Sequence, residues 1–337
     1  MTPDAQLPKV ELHLHLDCSL SFTAVRRLNS SVTADEYARD FAAPARCASL
    51  ADFLSRIPKV LPLLQSKEAL TVMVEDVFEQ LRRDGVIYVE LRFAPLLHTD
   101  GGLSAEQVVD LVEATAERMV RRTGIDGRLI LCALRHYSEQ DSLRVAALVR
   151  EFQARRVVAL DLAGDEAGFP LHPHVAAFRY ARDHGLRTTA HAGEALGPAS
   201  VWETLRALMP DRIGHGVRSI EDDDLVQYLR EKQIHLEICP SSNAQLVETV
   251  PEWPCHPVDR LAKAGVSLSI NTDTRMLTAT TLTREYELMR THFGWTFEKL
   301  VASNLAAVRH AFADDATKAA LARRILATTA RQPAPTD

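Results

Sequence analysis

No stretch of this sequence is apolar for long enough to cross a bilayer, and its first ten residues, MTPDAQLPKV, carry no basic segment leading into an apolar one. A membrane partner is therefore excluded and a cytoplasmic protein is expected. Cysteine is sparse. The five residues Cys18, Cys47, Cys132, Cys239 and Cys255 are odd in number, scattered and never spaced Cys-x-x-Cys, which excludes a disulfide framework and a thiolate zinc site. A basic excess is also missing: the formal net charge is -6 over 337 residues, with both signs interspersed, so no stripe exists to neutralise a phosphate backbone and no nucleic-acid partner is expected. What remains is a chain 46% apolar and 25% charged, able to bury a sizeable core and suited to a small-molecule partner.

Short apolar runs rich in β-branched residues recur along the chain, separated by stretches with helical spacing. There are eight: VELHLHL (10–16), VIYVELRFAP (86–95), RLILCALR (128–135), VVALDLAG (157–164), RTTAHAGE (187–194), RIGHGV (212–217), HLEICPSS (235–242) and VSLSINTD (266–273). Between them, 105–122 and 141–156 place apolar residues on one helical face, the second behind Asp141 as a cap candidate. Eight strands alternating with helices predict an α/β fold, a single (β/α)8 barrel over residues 1–330. An open doubly wound sheet is the competitor, but no G-x-G-x-x-G turn follows the first strand. The first connection is unusual, with about seventy residues where a few would do. Helices are predicted at 21–30, 50–57 and 67–84, making 18–85 a helical insertion that either closes over the barrel mouth as a lid or seals its edge. Residues 331–337 are expected to form a flexible tail.

In such a barrel chemistry sits where strands end. The first run delivers His13, His15 and Asp17 on one face, because side chains alternate along a strand, and a His-x-His pair can reach a single cation. The fifth ends in AHAGE, supplying His191 and Glu194; the sixth supplies His215, and the eighth Asp273. Imidazole and carboxylate ligands suit zinc, although manganese, iron and nickel accept the same ligand types. A divalent ion lowers the pKa of bound water, and Glu194 is placed for general acid/base work, with a carboxylate at a helix N-terminus as its plain alternative. His215 is either a further ligand or a hydrogen-bonding partner of the nucleophile. The His-x-Glu in HLEICP is incidental, because only one cysteine follows in PCHPV, and His235 is expected at the opposite, stabilising face of the barrel.

These motifs in this order, PKVELHLHLD, YVELRFAP, DLAGDE, HAGE, RIGHG and INTD, resemble the adenosine deaminase family of metal-dependent (β/α)8 hydrolases over nearly the whole chain. The resemblance implies one zinc ion per chain held by His13, His15, His191 and Asp273, with hydroxide completing the site. Glu194 would protonate purine N1 as C6 is attacked. His215 would orient the nucleophile, and Asp273 would also help accept the water proton. The Gly164 N–H would contact the purine and Asp17 the sugar, where a cap for the following segment is the competing role of Asp17. Two departures stand out. Many members carry a second Asp after the zinc Asp to meet purine N7, where this chain has Thr274, a shorter, uncharged donor. Animal members commonly have Ser before the proline of the second motif, where this chain has Ala94.

The resemblance implies hydrolytic deamination of a 6-aminopurine nucleoside, adenosine or 2'-deoxyadenosine, with inosine-type product and ammonia. The alternatives are 6-aminodeoxyfutalosine, another 5'-modified adenosine, or free adenine. A metal-dependent amide or ester hydrolase on a similar barrel often bridges two metals with a modified lysine, and no lysine ends strands four to six here. A non-catalytic purine-binding protein would be expected to have lost ligands or Glu194, and all are present.

Overall fold

The computed structural model describes residues 7–329; the expected tail at 331–337 lies outside the described residues. Eight strands pair in sequence order: β1 (Lys9–His15), β2 (Val86–Phe93), β3 (Asp126–Leu134), β4 (Val157–Ala163), β5 (Arg187–Ala192), β6 (Arg212–His215), β7 (His235–Ile238) and β8 (Leu268–Ile270). Every pairing is parallel, and helices alternate with the strands. This is the (β/α)8 barrel that the spacing of the apolar runs predicts.

The seam between β8 and β1 is closed mostly by side chains. Asn304 Oδ1 and Asn271 Oδ1 accept the Val10 and Leu12 N–H groups at 2.9 and 2.8 Å, doing the work of missing ladder carbonyls. Past the end of β8, Asp273 N–H donates to His13 O at 3.0 Å and His15 N–H donates to Asp273 O at 2.6 Å. Those two bonds set Asp273 between the histidines of β1.

Outward-facing apolar residues of the strands pack under the helix layer. In helix Ala105–Thr123, Val108, Val109, Val112, Ala116 and Met119 are buried on one face, with Ser104 and Gln107 forming a capping box and Gly124 ending the helix at φ 73°. Helix Glu139–Phe152 corrects one expectation. Ser138 is its cap, and Asp141 is the third helical residue, returning a bond to the Ser138 backbone.

Inward-facing positions are charged to an unusual degree. Arg212 pairs with Glu90 and Glu237, and Arg92 pairs with Glu237 at 2.6 Å and Asp161 at 3.0 Å. All five side chains are essentially buried. Removing one partner from such a chain costs about 3–5 kcal/mol, because an uncompensated charge is left in a poor solvent.

The long β1–β2 connection divides into two parts. Helix Lys67–Arg83 is an ordinary crossover helix, packed on β2 and on helix Ala105–Thr123. Before it come four shorter helices, Phe22–Leu28, Ala34–Asp40, Leu50–Leu54 and Ile57–Val60, of which the second has no counterpart in the sequence reading. Leu50–Leu61 lies against the mouth, tethered across it where Cys47 N–H donates to Gln245 O and Arg46 donates to the Ala244, Val250 and Pro251 carbonyls.

Candidate active site

Six of the titratable residues expected at the mouth meet there. His13 and His15 come from the end of β1, His191 from β5, Glu194 from the following loop, His215 from the last position of β6, and Asp273 from just beyond β8. One donor atom each from His13, His191, His215 and Asp273 lies within 4.8 Å of all the others. His15 joins them, its Nε2 being 3.2 Å from His191 Nε2 and 3.5 Å from Asp273 Oδ1. Close approach demands glycine at 214, since a Cβ there would stand 3.0 Å from the His13 ring and 3.3 Å from His191. His215 and Asp273 have left-handed backbones, φ 60° and 62°, a conformation costing about 1–3 kcal/mol that is typically retained where a site needs it.

The second nitrogen of each ring decides what the first can do. His13 Nδ1 is 2.9 Å from Glu237 Oε2, and His191 Nδ1 is 3.2 Å from Asp161 Oδ1. A carboxylate can only accept, so each Nδ1 carries a proton, and in the neutral ring that a metal requires each Nε2 turns a lone pair inward. His13 Nε2 is buried with no hydrogen-bond partner. The Asp273–His13 separation is 3.4 Å. Donors about 2.0–2.1 Å from a tetrahedral ion lie about 3.3–3.4 Å from one another, so the donor set and its spacing fit zinc. His215 is wired differently: the Asn243 amide nitrogen donates to its Nδ1 at 3.1 Å. With the amide so oriented, Nε2 bears the hydrogen and points at Glu194 Oε2, 3.5 Å away.

Burial, then the charges of Asp273 and Glu166, push the Glu194 carboxyl well above the usual carboxylate range. Burial and the neighbouring His13 hold His215 well below an ordinary histidine. Both shifts favour the neutral form of the group, which for Glu194 is the form that holds a proton it can give. Glu194 does not serve as a helix cap: helix Pro198–Ala207 begins behind Gly197.

A cavity of about 460 Å³ opens above these residues, lined by His15, Asp17, Gly164, His191, Glu194, His215, Asp273 and Thr274 among others. His13 sits beneath it, fully buried. Thr274 Oγ1 is buried without a hydrogen-bond partner. Asp17 caps no helix, Ser21 taking that place for Phe22–Leu28; its Oδ2 instead accepts the Ala94 N–H at 3.3 Å and lies 3.5 Å from His98 Nε2. Burial pushes the Asp17 carboxyl up, but His98, His15 and the Ala94 N–H together outweigh it and the net direction is down. Most of the wall is apolar, including Leu50, Phe53, Leu54, Ile57, Leu61, Leu134 and Phe169, and among the described residues no lysine or arginine lines it. His136 also lines the cavity, and burial lowers its pKa.

His235 is where the sequence placed it, at the start of β7, between Ser267 and Ser269 and stacked on His310. The residues that sequence reading missed are the partners: Asp161, Glu237, Asn243, and Ser242, whose hydroxyl donates to Asp273 Oδ2 at 2.7 Å. Glu237 stands in the very HLEICP run set aside as incidental. A lone charge inside an apolar strand was the available signal.

The adenosine deaminase family model matches residues 8–328 of the chain. An adenosine deaminase of Mycolicibacterium gilvum is 37% identical, with 90% of each chain covered. Among solved structures, an adenine deaminase from Arthrobacter aurescens superposes with a TM-score of 0.88 at 26% identity, covering 96% of this chain and 99% of that one. Arabidopsis ADAL complexed with IMP gives 0.87 at 24% identity, covering 98% and 99%, a likeness of fold.

Proposed function

The chain belongs to the adenosine deaminase family of metal-dependent deaminases, and on that premise we propose that it hydrolyses the 6-amino group of adenosine or 2'-deoxyadenosine, releasing ammonia. The observation that carries this reading is the convergence of the His13, His15 and His191 Nε2 atoms with Asp273, at separations of 3.2, 3.4 and 3.5 Å that suit donors to one divalent ion, beside the raised-pKa carboxyl of Glu194. His13, His15, His191 and Asp273 hold one zinc ion. Zinc bound there supplies hydroxide near neutral pH.

The chain's own groups manage the protons. Glu194 gives its proton to purine N1, which makes C6 electron-poor, and the His215 Nε2–H donates to the charge that develops on the oxygen at C6. Asp273 takes part in accepting the proton of the attacking water and returning it to the 6-amino group, which leaves C6 as ammonia as the C6 oxygen becomes the carbonyl and its proton restores Glu194. Thr274 Oγ1, buried and unpartnered, donates to N7; the Gly164 N–H meets the ring on its other edge, and Asp17 accepts from the sugar. Residues 18–85 provide the lid through their Leu50–Leu61 portion.

Nucleoside is preferred to nucleotide because, among the described residues, no lysine or arginine lines the cavity. A phosphate, or the carboxylate of 6-aminodeoxyfutalosine, would be desolvated against an apolar wall without a partner. Free adenine would leave Asp17 and that wall without contacts. No helix among the described residues is long and apolar enough to cross a membrane, and five free cysteines, one of them exposed, fit a reducing cytoplasm.

The test is ammonia release by zinc-loaded protein across adenosine, deoxyadenosine, adenine, AMP and 6-aminodeoxyfutalosine. The two nucleosides should be turned over, AMP at least about 10²-fold less efficiently, and Glu194→Gln should lose about 10³-fold in kcat with zinc retained. No turnover of any of these compounds by protein carrying one zinc per chain overturns the proposal.

A further inference from the structure

Glu166 follows the β4 loop that carries Gly164, and its carboxylate is 2% exposed. It receives five hydrogen bonds, four from the β5 loop and one from Ser200 in the helix that follows. Gly193 N–H and Ser200 Oγ–H donate to Oε1 at 2.7 and 2.6 Å, while the N–H groups of Glu194, Ala195 and Leu196 donate to Oε2 at 3.0, 2.7 and 3.0 Å. The four N–H groups are consecutive and all precede helix Pro198–Ala207, so the carboxylate closes a loop and caps no helix. Four adjacent amides turned to one anion form a rigid concave nest.

The loop has little freedom left. Gly193 has φ 71°, and a Cβ there would stand 2.5 Å from Val201 Cγ2. Glu194 is gripped on both sides of its own Cα, since its N–H is held by Glu166 and its carbonyl accepts the Thr249 hydroxyl at 2.6 Å. Only its side-chain torsions remain free.

We propose that Glu166 is the positioning residue for Glu194, clamping the 193–196 loop to the β4 loop so that the Glu194 carboxyl and the Gly164 N–H are presented to one purine ring in a fixed frame. The proposal rests on the reading of Glu194 as the proton donor. Displacement of a reacting group by about an ångström costs about 10²-fold in rate, which sets the scale of the effect. Glutamine at 166 keeps the shape, but its amide nitrogen meets the Gly193 N–H donor to donor, or faces three such donors if flipped.

The experiment uses zinc-loaded full-length protein and the variants Glu166→Ala, Glu166→Gln, Glu194→Gln and Glu166→Gln/Glu194→Gln, with zinc content measured for each. Glu166→Ala is expected to lower kcat about 10²-fold and Glu166→Gln about 10-fold, with KM for adenosine changed by less than about threefold. In the Glu194→Gln background the Glu166→Gln loss should nearly vanish, because the two act through one group. Hydrogen exchange at the 194–196 amides should be about 10-fold faster or more in the Glu166 variants, at temperatures well below unfolding. If Glu166→Ala does not fold, Glu166→Gln carries every readout. Unchanged kcat in folded, zinc-replete Glu166→Gln, losses that multiply in the double variant, or unchanged exchange at 194–196 each overturn the proposal. Wild-type protein inactive on all 6-aminopurines would instead remove the functional reading, leaving the exchange measurement to decide whether Glu166 holds the loop.

Discussion

Asp161 and Glu237 determine which nitrogen of His191 and His13 faces the centre, and Arg92 lies between them, bonded to both carboxylates. Although burial pushes both carboxyls up, the neighbouring His191 and Arg92 carry Asp161 below the usual carboxylate range, and Arg92 and Arg212 do the same for Glu237. Both are therefore anions at neutral pH and fix the Nδ1–H tautomers. Asp161→Asn preserves the size and one accepting oxygen but removes the charge, so zinc affinity should fall about 10–100-fold, measured by competition with a chromogenic chelator. Affinity within about twofold of wild type would mean that His191 orients itself without the charge. The histidines were legible in the sequence because metal binding draws on few residue types, and HLH, HAG and GHG place them at strand ends. Their partners were not, because one Asp in VVALDLAG or one Glu in HLEI becomes meaningful only when β4 and β7 are brought beside β5 and β1.

The strands themselves were legible because a parallel barrel buries both of their faces, and apolar, β-branched runs at short spacing are what such burial requires. Their ends were less so. The predicted eighth run extends through Asn271, Thr272 and Asp273, yet β8 stops at Ile270, and Asn271 turns its amide onto β1. Helix Ala34–Asp40 went unread despite a local signal: Thr33 and Glu36 form a capping box. The choice between lid and edge seal is not legible in the sequence, because which part of the insertion meets the barrel and which meets the cavity depends on the closed fold. Helix Lys67–Arg83 packs on the barrel, while Leu50–Leu54 presents Leu50, Phe53 and Leu54 to the cavity. Leu54 is only partly buried and lines the cavity, so its truncation should act on ligand binding more than on folding. Leu54→Ala is expected to raise KM for adenosine about 10-fold, from the roughly 1.5–3 kcal/mol that burying a leucine contributes, with kcat within about threefold. A fall in kcat with KM unchanged would place this helix in the chemical step.

At the scale of the whole molecule, the barrel is threaded by buried charge, and most of it is neutralised in pairs. Arg275 is bonded to Glu11 and Asp84 at 2.8 Å each, and Arg212 to Glu90 and Glu237. Glu285 is one group that is not neutralised in this way. It is fully buried, accepts from Ser241 N–H at 3.1 Å and Thr280 Oγ–H at 2.7 Å, and no cation is bonded to it among the described residues. Burial, with a smaller contribution from the Glu11 charge, raises its pKa from 4.5 to about 7. The sign of the consequence follows from proton counting: between those two values the folded protein holds a proton that the unfolded chain has released, so stability falls as pH rises through the window. The total is about 3 kcal/mol, reached by about pH 7, above which both states are ionised and the slope vanishes. Glutamine cannot ionise, and Thr280, whose hydroxyl can reverse, accommodates the amide. Urea unfolding of wild type and Glu285→Gln at pH 5 and pH 8 should therefore show the variant gaining about 2.5 kcal/mol relative to wild type on going to the higher pH. Zinc binding and the other carboxylates titrate alike in both proteins and cancel in this difference. A difference that stays flat between the two pH values would mean that Glu285 is already ionised in the fold, with a partner that compensates its charge.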